Sequence, residues 1–146
     1  MPTDATDIHT MVKGLAEALD LAGKNRGTVD DLLKYGFGEN AAFNALIAEC
    51  AGEAVGMCTY FPIFSTWTGR SGVFVLDLYV SESQRGRGLG EQLLTELASI
   101  ARASGAAFVR LSVDNHNTRG QAFYHRIGFK PIDDECSYQI DIEKLS

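Results

Sequence analysis

Positions 85 to 90 read Arg-Gly-Arg-Gly-Leu-Gly, just after the apolar run Val75-Leu-Asp-Leu-Tyr-Val80 and at the mouth of a helical stripe beginning with Leu89. A strand that passes through glycines into a helix suits an anion. The first N–H groups of a helix lack internal partners and carry the positive end of its dipole. Glycines at 86, 88 and 90 let the main chain turn and approach a phosphate with no Cβ in the way, while Arg85 and Arg87 add cationic donors. The pattern predicts a pyrophosphate cradle. Two better-known phosphate motifs are disfavoured. A P-loop closes on Gly-Lys-Ser/Thr, whereas Gly90 is followed by Glu91 and Gln92, so both the lysine and the magnesium-binding hydroxyl are missing. The third glycine of a dinucleotide fingerprint would fall on Glu91, and the segment lies in mid-chain after a run of strands.

The elements that must hold this segment follow from the spacing of apolar residues. Ile8, Met11, Val12, Leu15 and Leu19 recur at steps of three and four and predict a helix capped by Asp7 and ended near Gly23. Thr28 with Asp31 has the spacing of an N-cap and predicts a short helix through Leu32 and Leu33, stopping near Gly36 and Gly38. Phe43 to Ala48, Ala54 to Ile63 and Val73 to Val80 read as three strands joined by hairpin turns at Gly52 and Gly69. Leu89, Leu93, Leu94, Leu97, Ile100 and Ala101 form one stripe of a long helix ended by Ser104 and Gly105. A strand at Phe108 to Val113, a short helix at Thr118 to Ile127 and a last alternating strand at Ser137 to Ile142 complete the chain. This order of elements indicates an α+β or α/β layer with helices packed on a central sheet.

The 146 residues suffice for one domain, 1–146, and 45% hydrophobic with 22% charged residues is a composition able to bury a core. With 19 acidic against 13 basic residues the formal charge is -6, which opposes a phosphate backbone at long range and argues against a nucleic-acid partner. The opening Met-Pro-Thr-Asp lacks the layout of a secretory signal, and no apolar stretch approaches the roughly 20 residues of a membrane span. A soluble protein with no membrane partner is expected. Cys50, Cys58 and Cys136 are odd in number and scattered, with no His at a metal-ligand spacing. Neither a disulfide framework nor a metal site is implied, and a reducing cytoplasm fits.

Arg-x-x-Gly-x-Gly at Arg85 to Gly90, placed directly after the strand Leu76 to Val80, resembles the acyl-CoA signature of the GCN5-related N-acetyltransferase (GNAT) superfamily. Its surroundings match too. A loop Asp114-Asn-His-Asn117 follows the next strand, and Tyr-x-x-x-Gly-Phe runs from 124 to 129. Asp31 to Gly38, Phe43 to Glu49, and Thr66-Trp67 through Tyr79 resemble the diamine (spermidine/spermine) acetyltransferase branch and its bacterial relatives. The resemblance implies a central mixed, mostly antiparallel sheet flanked by helices, acetyl-CoA as co-substrate, no metal and a homodimer. It implies that Arg85, Gly86, Arg87, Gly88, Leu89 and Gly90 hold the CoA pyrophosphate. In the strand Leu78, Tyr79, Val80, the main chain of Leu78 and Val80 would meet the pantetheine arm and thioester carbonyl. Asn117 matches the family's CoA-contacting asparagine and Tyr124 the tyrosine beside the sulfur. The branch usually reads Leu-Glu-Asp-Leu where this chain has Val75-Leu76-Asp77-Leu78, so a carboxylate expected near the amine is replaced by Leu76. His116 stands where many relatives carry an aromatic or another residue.

Acetyl transfer to an amine is the activity so implied. A primary amine is only about 0.04% neutral at pH 7, so attack on a thioester needs help in shedding a proton. Asp77 could draw in the ammonium and accept that proton through water, with Glu82 and Asp114 as weaker candidates. A phenol with an ordinary pKa of about 10 stays protonated and can donate to the leaving thiolate, which makes Tyr124 a general acid. Trp67 and Phe64 would offer aromatic surface to an alkylamine chain, and His116 would border the acceptor. Plainer roles exist for each: Tyr124 and Trp67 in packing, Asp77 as a structural hydrogen-bonder, His116 as a loop residue, and Asp133 to Glu135 as a solvated run. The expected acceptor is a small cationic amine. The alternatives are a protein amine, or a CoA-responsive module without turnover.

Overall fold

Ile8 and Met11 lie one helical turn apart and are 1% and 4% exposed, so the apolar stripe of the first helix does face a core. That helix, α1 (Ala5–Ala18), begins two residues before the expected cap, and Asp7 sits in its first turn, where a carboxylate favours the helix dipole without capping it. The computed structural model describes residues 4–18, 27–37 and 39–145. Leu19, Gly23 and Gly38 lie outside them. α2 (Val29–Tyr35) carries a full capping box: the Thr28 hydroxyl accepts from the Asp31 N–H, and the Asp31 carboxylate accepts from the Thr28 N–H at 2.9 Å. These bonds from Thr28 hold the Asp31 carboxyl below its ordinary pKa.

The described residues fall into two compact units, one running through Ser112 and one starting at Val113. In the first, β1 (Asn44–Cys50), β2 (Glu53–Ser65) and β3 (Arg70–Val80) form an antiparallel meander, and β4 (Phe108–Leu111) adds to β3 in parallel, giving the order β1-β2-β3-β4. α3 (Leu89–Ala103) is the crossover from β3 to β4. Both α1 and α3 pack on β2 and β3. β2 is therefore buried on its two faces: Met57 joins Ile8 and Met11 in one cluster, while Leu93, Leu94, Leu97 and Ala101 form the buried stripe of α3. Ile100, expected in that stripe, is 36% exposed.

α1 approaches the sheet closely because Gly14 has no side chain: a Cβ there would lie 2.8 Å from the phenolic oxygen of Tyr79. Gly→Ala inside a helix ordinarily gains about 1 kcal/mol. Here Gly14→Ala is expected to lower the melting temperature instead, and Tyr79→Phe in the same chain to recover part of the loss. Thermal denaturation of the two variants checks this.

The second unit contains α4 (Thr118–Arg126) and the chain that follows it. Asn117 is its N-cap, with Oδ1 accepting from the Gly120 N–H at 2.9 Å. Beyond it, the strand expected at Ser137 to Ile142 does not form. The segment joins no ladder among the described residues, every described residue from Pro131 onward is exposed, and Ile142–Leu145 closes into a 3₁₀ turn. Alternation of Tyr138, Ile140 and Ile142 with polar residues supplies two unlike faces, but a strand exists only through its hydrogen-bonded neighbour.

Candidate active site

β3 is the element from which the site is built. It pairs with β2 along its whole length, but its pairing with β4 stops at Val75↔Leu111. From Leu76 to Val80 the edge of β3 turned away from β2 therefore belongs to no ladder among the described residues. An extended chain carrying amide groups can bind to such an edge as an added strand does. The β2–β3 register also slips here: Thr59 faces Asp77 and Tyr60 faces Val75, leaving Leu76 as the extra residue of a bulge, 47% exposed. Leu76 thus occupies the irregular point of the strand, next to Asp77.

Asp77 is half-buried and accepts a hydrogen bond from the Thr59 hydroxyl, Oγ1 to Oδ2 2.8 Å. Burial raises the carboxyl above its ordinary pKa, and the Thr59 bond pulls it partly back. The Cys58 thiol is pushed up to about 12, first by its own burial and then by the Asp77 charge, so it stays a neutral thiol at physiological pH. Tyr60 is raised by burial and by Cys58.

A carboxyl with a raised folded pKa holds its proton better when folded. Its ionisation therefore costs stability as pH rises through the interval between the ordinary and the raised value. Asp77→Asn is expected to raise the melting temperature at pH 7, with the gain shrinking toward pH 3, as thermal melts across pH would record. Greater stability with less activity is the usual mark of a functional charge.

Past Val80 the chain makes a 3₁₀ turn at Glu82–Gln84 and enters the glycine segment. Arg85 folds back, donating from Nε to the Val80 carbonyl oxygen at 2.9 Å with its guanidinium over the Tyr79 ring. It braces the strand end against the turn. Gly86 (φ 78°) and Gly88 (φ 77°) are left-handed, a conformation other residues adopt only at a cost. A Cβ on either would meet nothing within 4 Å, so their requirement is conformational and the space above them is open. Gly90 is already inside α3. Gly88 is the N-cap of α3 and supplies no capping side chain, and the first helical bond runs from the Gln92 N–H to the Gly88 carbonyl at 3.0 Å. The N–H groups of Leu89, Gly90 and Glu91 precede that ladder, which fits the diphosphate of a nucleotide carrier.

The acceptor candidates are less concentrated. Trp67 is 97% exposed at the tip of the β2–β3 hairpin. From the Ser65↔Arg70 pair to the Thr59↔Asp77 pair the hairpin spans roughly 20 Å at about 3.3 Å per residue, so the structure does not bring Trp67 to Asp77. An aromatic pocket of about 330 Å³ lies elsewhere in the same unit, with Phe37, Phe43 and Tyr60 among its walls and Asp4 and Asn44 as polar groups. No single stretch of sequence announces that pocket. In the second unit His116 is exposed in the loop before α4, its N–H donating to Asp114. Tyr124 is half-buried on α4, packed edge-on against Phe123 and Phe129 at 5.1 and 5.4 Å. Asn117 commits Oδ1 to its helix and keeps the Nδ2 donors for another acceptor.

Among the described residues no helix is long and apolar enough to cross a membrane, and the three cysteines are free thiols. The sequence matches the Acetyltransferase (GNAT) family over residues 12–129. It is 33% identical over 137 residues to thialysine N-epsilon-acetyltransferase of Sus scrofa, an alignment covering 88% of this chain and 80% of that protein. Against the Mus musculus protein of the same name the identity is 34% over 138 residues, covering 89% and 81%. Among solved structures, an integron cassette protein from the mobile metagenome of V. cholerae aligns with a TM-score of 0.73 at 27% identity, covering 84% of this chain and 80% of that one.

Proposed function

The chain belongs to the acetyltransferase (GNAT) family, and from that premise we propose that it moves the acetyl group of acetyl-CoA onto a primary amine of a small cationic acceptor. A polyamine, a diamine or a lysine-like amino acid is the class intended. Relatives named for thialysine, aligned over most of the chain, favour the lysine-like member. The observation that carries the reading is one run of chain: the edge of β3 from Leu76 to Val80, which joins no ladder among the described residues, leads through the 3₁₀ turn Glu82–Gln84 and two left-handed glycines to a helix start without a side-chain cap.

Acetyl-CoA supplies the activated thioester; the chain's residues hold it and manage protons. The N–H groups at the start of α3, with Arg87 beside them, hold the diphosphate, while Leu78 and Val80 offer main-chain groups to the amide-bearing arm. Arg85 keeps the strand end in place. Asp77 attracts the ammonium and takes its proton through water, a role that a half-buried carboxyl of raised pKa suits because it is a stronger base than an exposed one. A main-chain N–H near Leu78 steadies the negative charge that grows on the thioester oxygen, a contribution typically worth about 3 kcal/mol. Attack first joins nitrogen to carbon; the carbon–sulfur bond then breaks while the nitrogen sheds its second proton to water, which returns a proton to the Tyr124 phenol once that phenol has protonated the sulfur. Tyr124 then gives its proton to the sulfur, and Asn117 adds its amide donors to the carrier.

The same reading takes residues 1–146 as one acetyltransferase domain, working as a homodimer in the cytoplasm without nucleic-acid, membrane or metal partners. Sizing chromatography and cell fractionation test the assembly and the location. The activity is tested by following CoA thiol release with a panel of lysine analogues, diamines and polyamines. Release that depends on the amine, with intersecting initial-rate plots, is expected. Tight acetyl-CoA binding with no release for any amine would make the chain a binding module instead.

A further inference from the structure

We infer that Thr59 is the positioning residue for Asp77: its buried hydroxyl, donated across the β2–β3 ladder, fixes the carboxylate in the rotamer and charge state from which it serves the acceptor amine. The inference rests on the reading of Asp77 as the proton acceptor and deepens it. Thr59 is 2% exposed and is a polar residue in the middle of a strand whose neighbours Met57 and Cys58 are fully buried. A hydroxyl placed there needs a partner, and it has one: Oγ1 lies 2.8 Å from Oδ2 of Asp77, its direct cross-strand neighbour. Valine would fill the same space without the desolvation of a polar group, so packing alone does not call for threonine.

Position matters because Leu76 bulges out immediately before Asp77. A bulge loosens the ladder locally and leaves the next side chain free to re-aim. One short hydrogen bond from a buried neighbour removes that freedom. The bond leaves Oδ1 for the acceptor and favours the ionised carboxyl over the neutral one. The other groups facing Asp77 do not replace it. On β2 the Cys58 thiol is neutral and the Tyr60 phenol is raised above its ordinary value. Tyr79, two residues along β3, carries the Arg85 guanidinium over its ring. On α1 and α3, Asp7, Lys13, Glu91, Glu96 and Arg102 are exposed, and His9 has its Nε2 3.0 Å from the Gly27 carbonyl oxygen. On β4, Arg110 lies over the Phe108 ring.

The test compares Thr59→Val, Thr59→Ala and Thr59→Ser with the wild type and with Asp77→Asn, reading two quantities: the pH profile of kcat/KM with one amine, and the Asp77 carboxyl titration by carbon-13 NMR. Loss of the hydroxyl is expected to move the Asp77 titration and the acidic limb of the profile together to higher pH, so that kcat/KM on that limb falls about fivefold or more. Thr59→Ser should restore both. Acetyl-CoA affinity should stay within about twofold in all three, since the carrier is held elsewhere. An unmoved Asp77 titration in Thr59→Val and Thr59→Ala overturns the inference about Thr59. If Asp77→Asn keeps the acidic limb, it is the reading of Asp77 that fails, whatever the threonine variants do.

Discussion

Tyr124→Phe is expected to lower kcat by about 10²- to 10⁴-fold while acetyl-CoA affinity stays within about twofold. The substitution removes one oxygen and keeps the ring, and the ring is what α4 uses: it packs edge-on against Phe123 and Phe129, an arrangement that phenylalanine reproduces. Without the phenol the departing thiolate must take its proton from water, so the loss appears in turnover and not in carrier binding. A pre-steady-state experiment sharpens the point, because thiol release should become the slow step while substrate binding remains fast. Stopped-flow rates with calorimetric Kd values separate the outcomes. Equal losses in kcat and affinity would assign Tyr124 to packing of its unit and remove it from the chemistry.

The second large effect concerns the helix mouth. Gly88→Asp should weaken acetyl-CoA binding by about 100-fold or more at low salt, while Gly88→Asn should weaken it by less than about tenfold. Asp and Asn are the non-glycine residues that best tolerate a left-handed φ such as the 77° at this position, and a Cβ there meets nothing within 4 Å, so the two variants share the same small strain. They differ in one negative charge set beside the N–H groups of Leu89, Gly90 and Glu91. A carboxylate there satisfies the positive end of α3 and repels a diphosphate, which is a Coulomb penalty of about 3 kcal/mol at close range in a partly screened site. Raising salt should narrow the gap between the two variants. Binding titrations at two ionic strengths measure it, and equal affinities for the Asp and Asn variants would mean that the diphosphate is held somewhere else.

Local signals carried much of the fold and the glycine turns that open α3. Thr28 with Asp31 marked the capping box, the Leu93–Leu97 stripe marked α3, and Gly86 with Gly88 marked the left-handed turns, because each depends on residues close in sequence. Long-range pairing explains what remained out of reach. The Thr59–Asp77 bond joins residues 18 apart through a ladder whose register is shifted by a bulge, and no periodicity records such a slip. β3 runs past β4 from Leu76 to Val80 because β4 is four residues long and not the six that its sequence suggests. Trp67 looked like an acceptor surface by residue type, yet two long paired strands carry it away from Asp77. The Ser137 to Ile142 pattern fails for the converse reason: alternation is present, and no described strand lies beside it.

Calorimetric titration of the wild-type protein with acetyl-CoA, set beside the same titration with S-acetylpantetheine, isolates the grip on which the function depends. The two ligands share the thioester and arm and differ in the nucleotide diphosphate. Binding of acetyl-CoA with at least about 100-fold greater affinity is expected if the start of α3 holds that diphosphate. Equal affinity for the two, or no heat with acetyl-CoA, would contradict it.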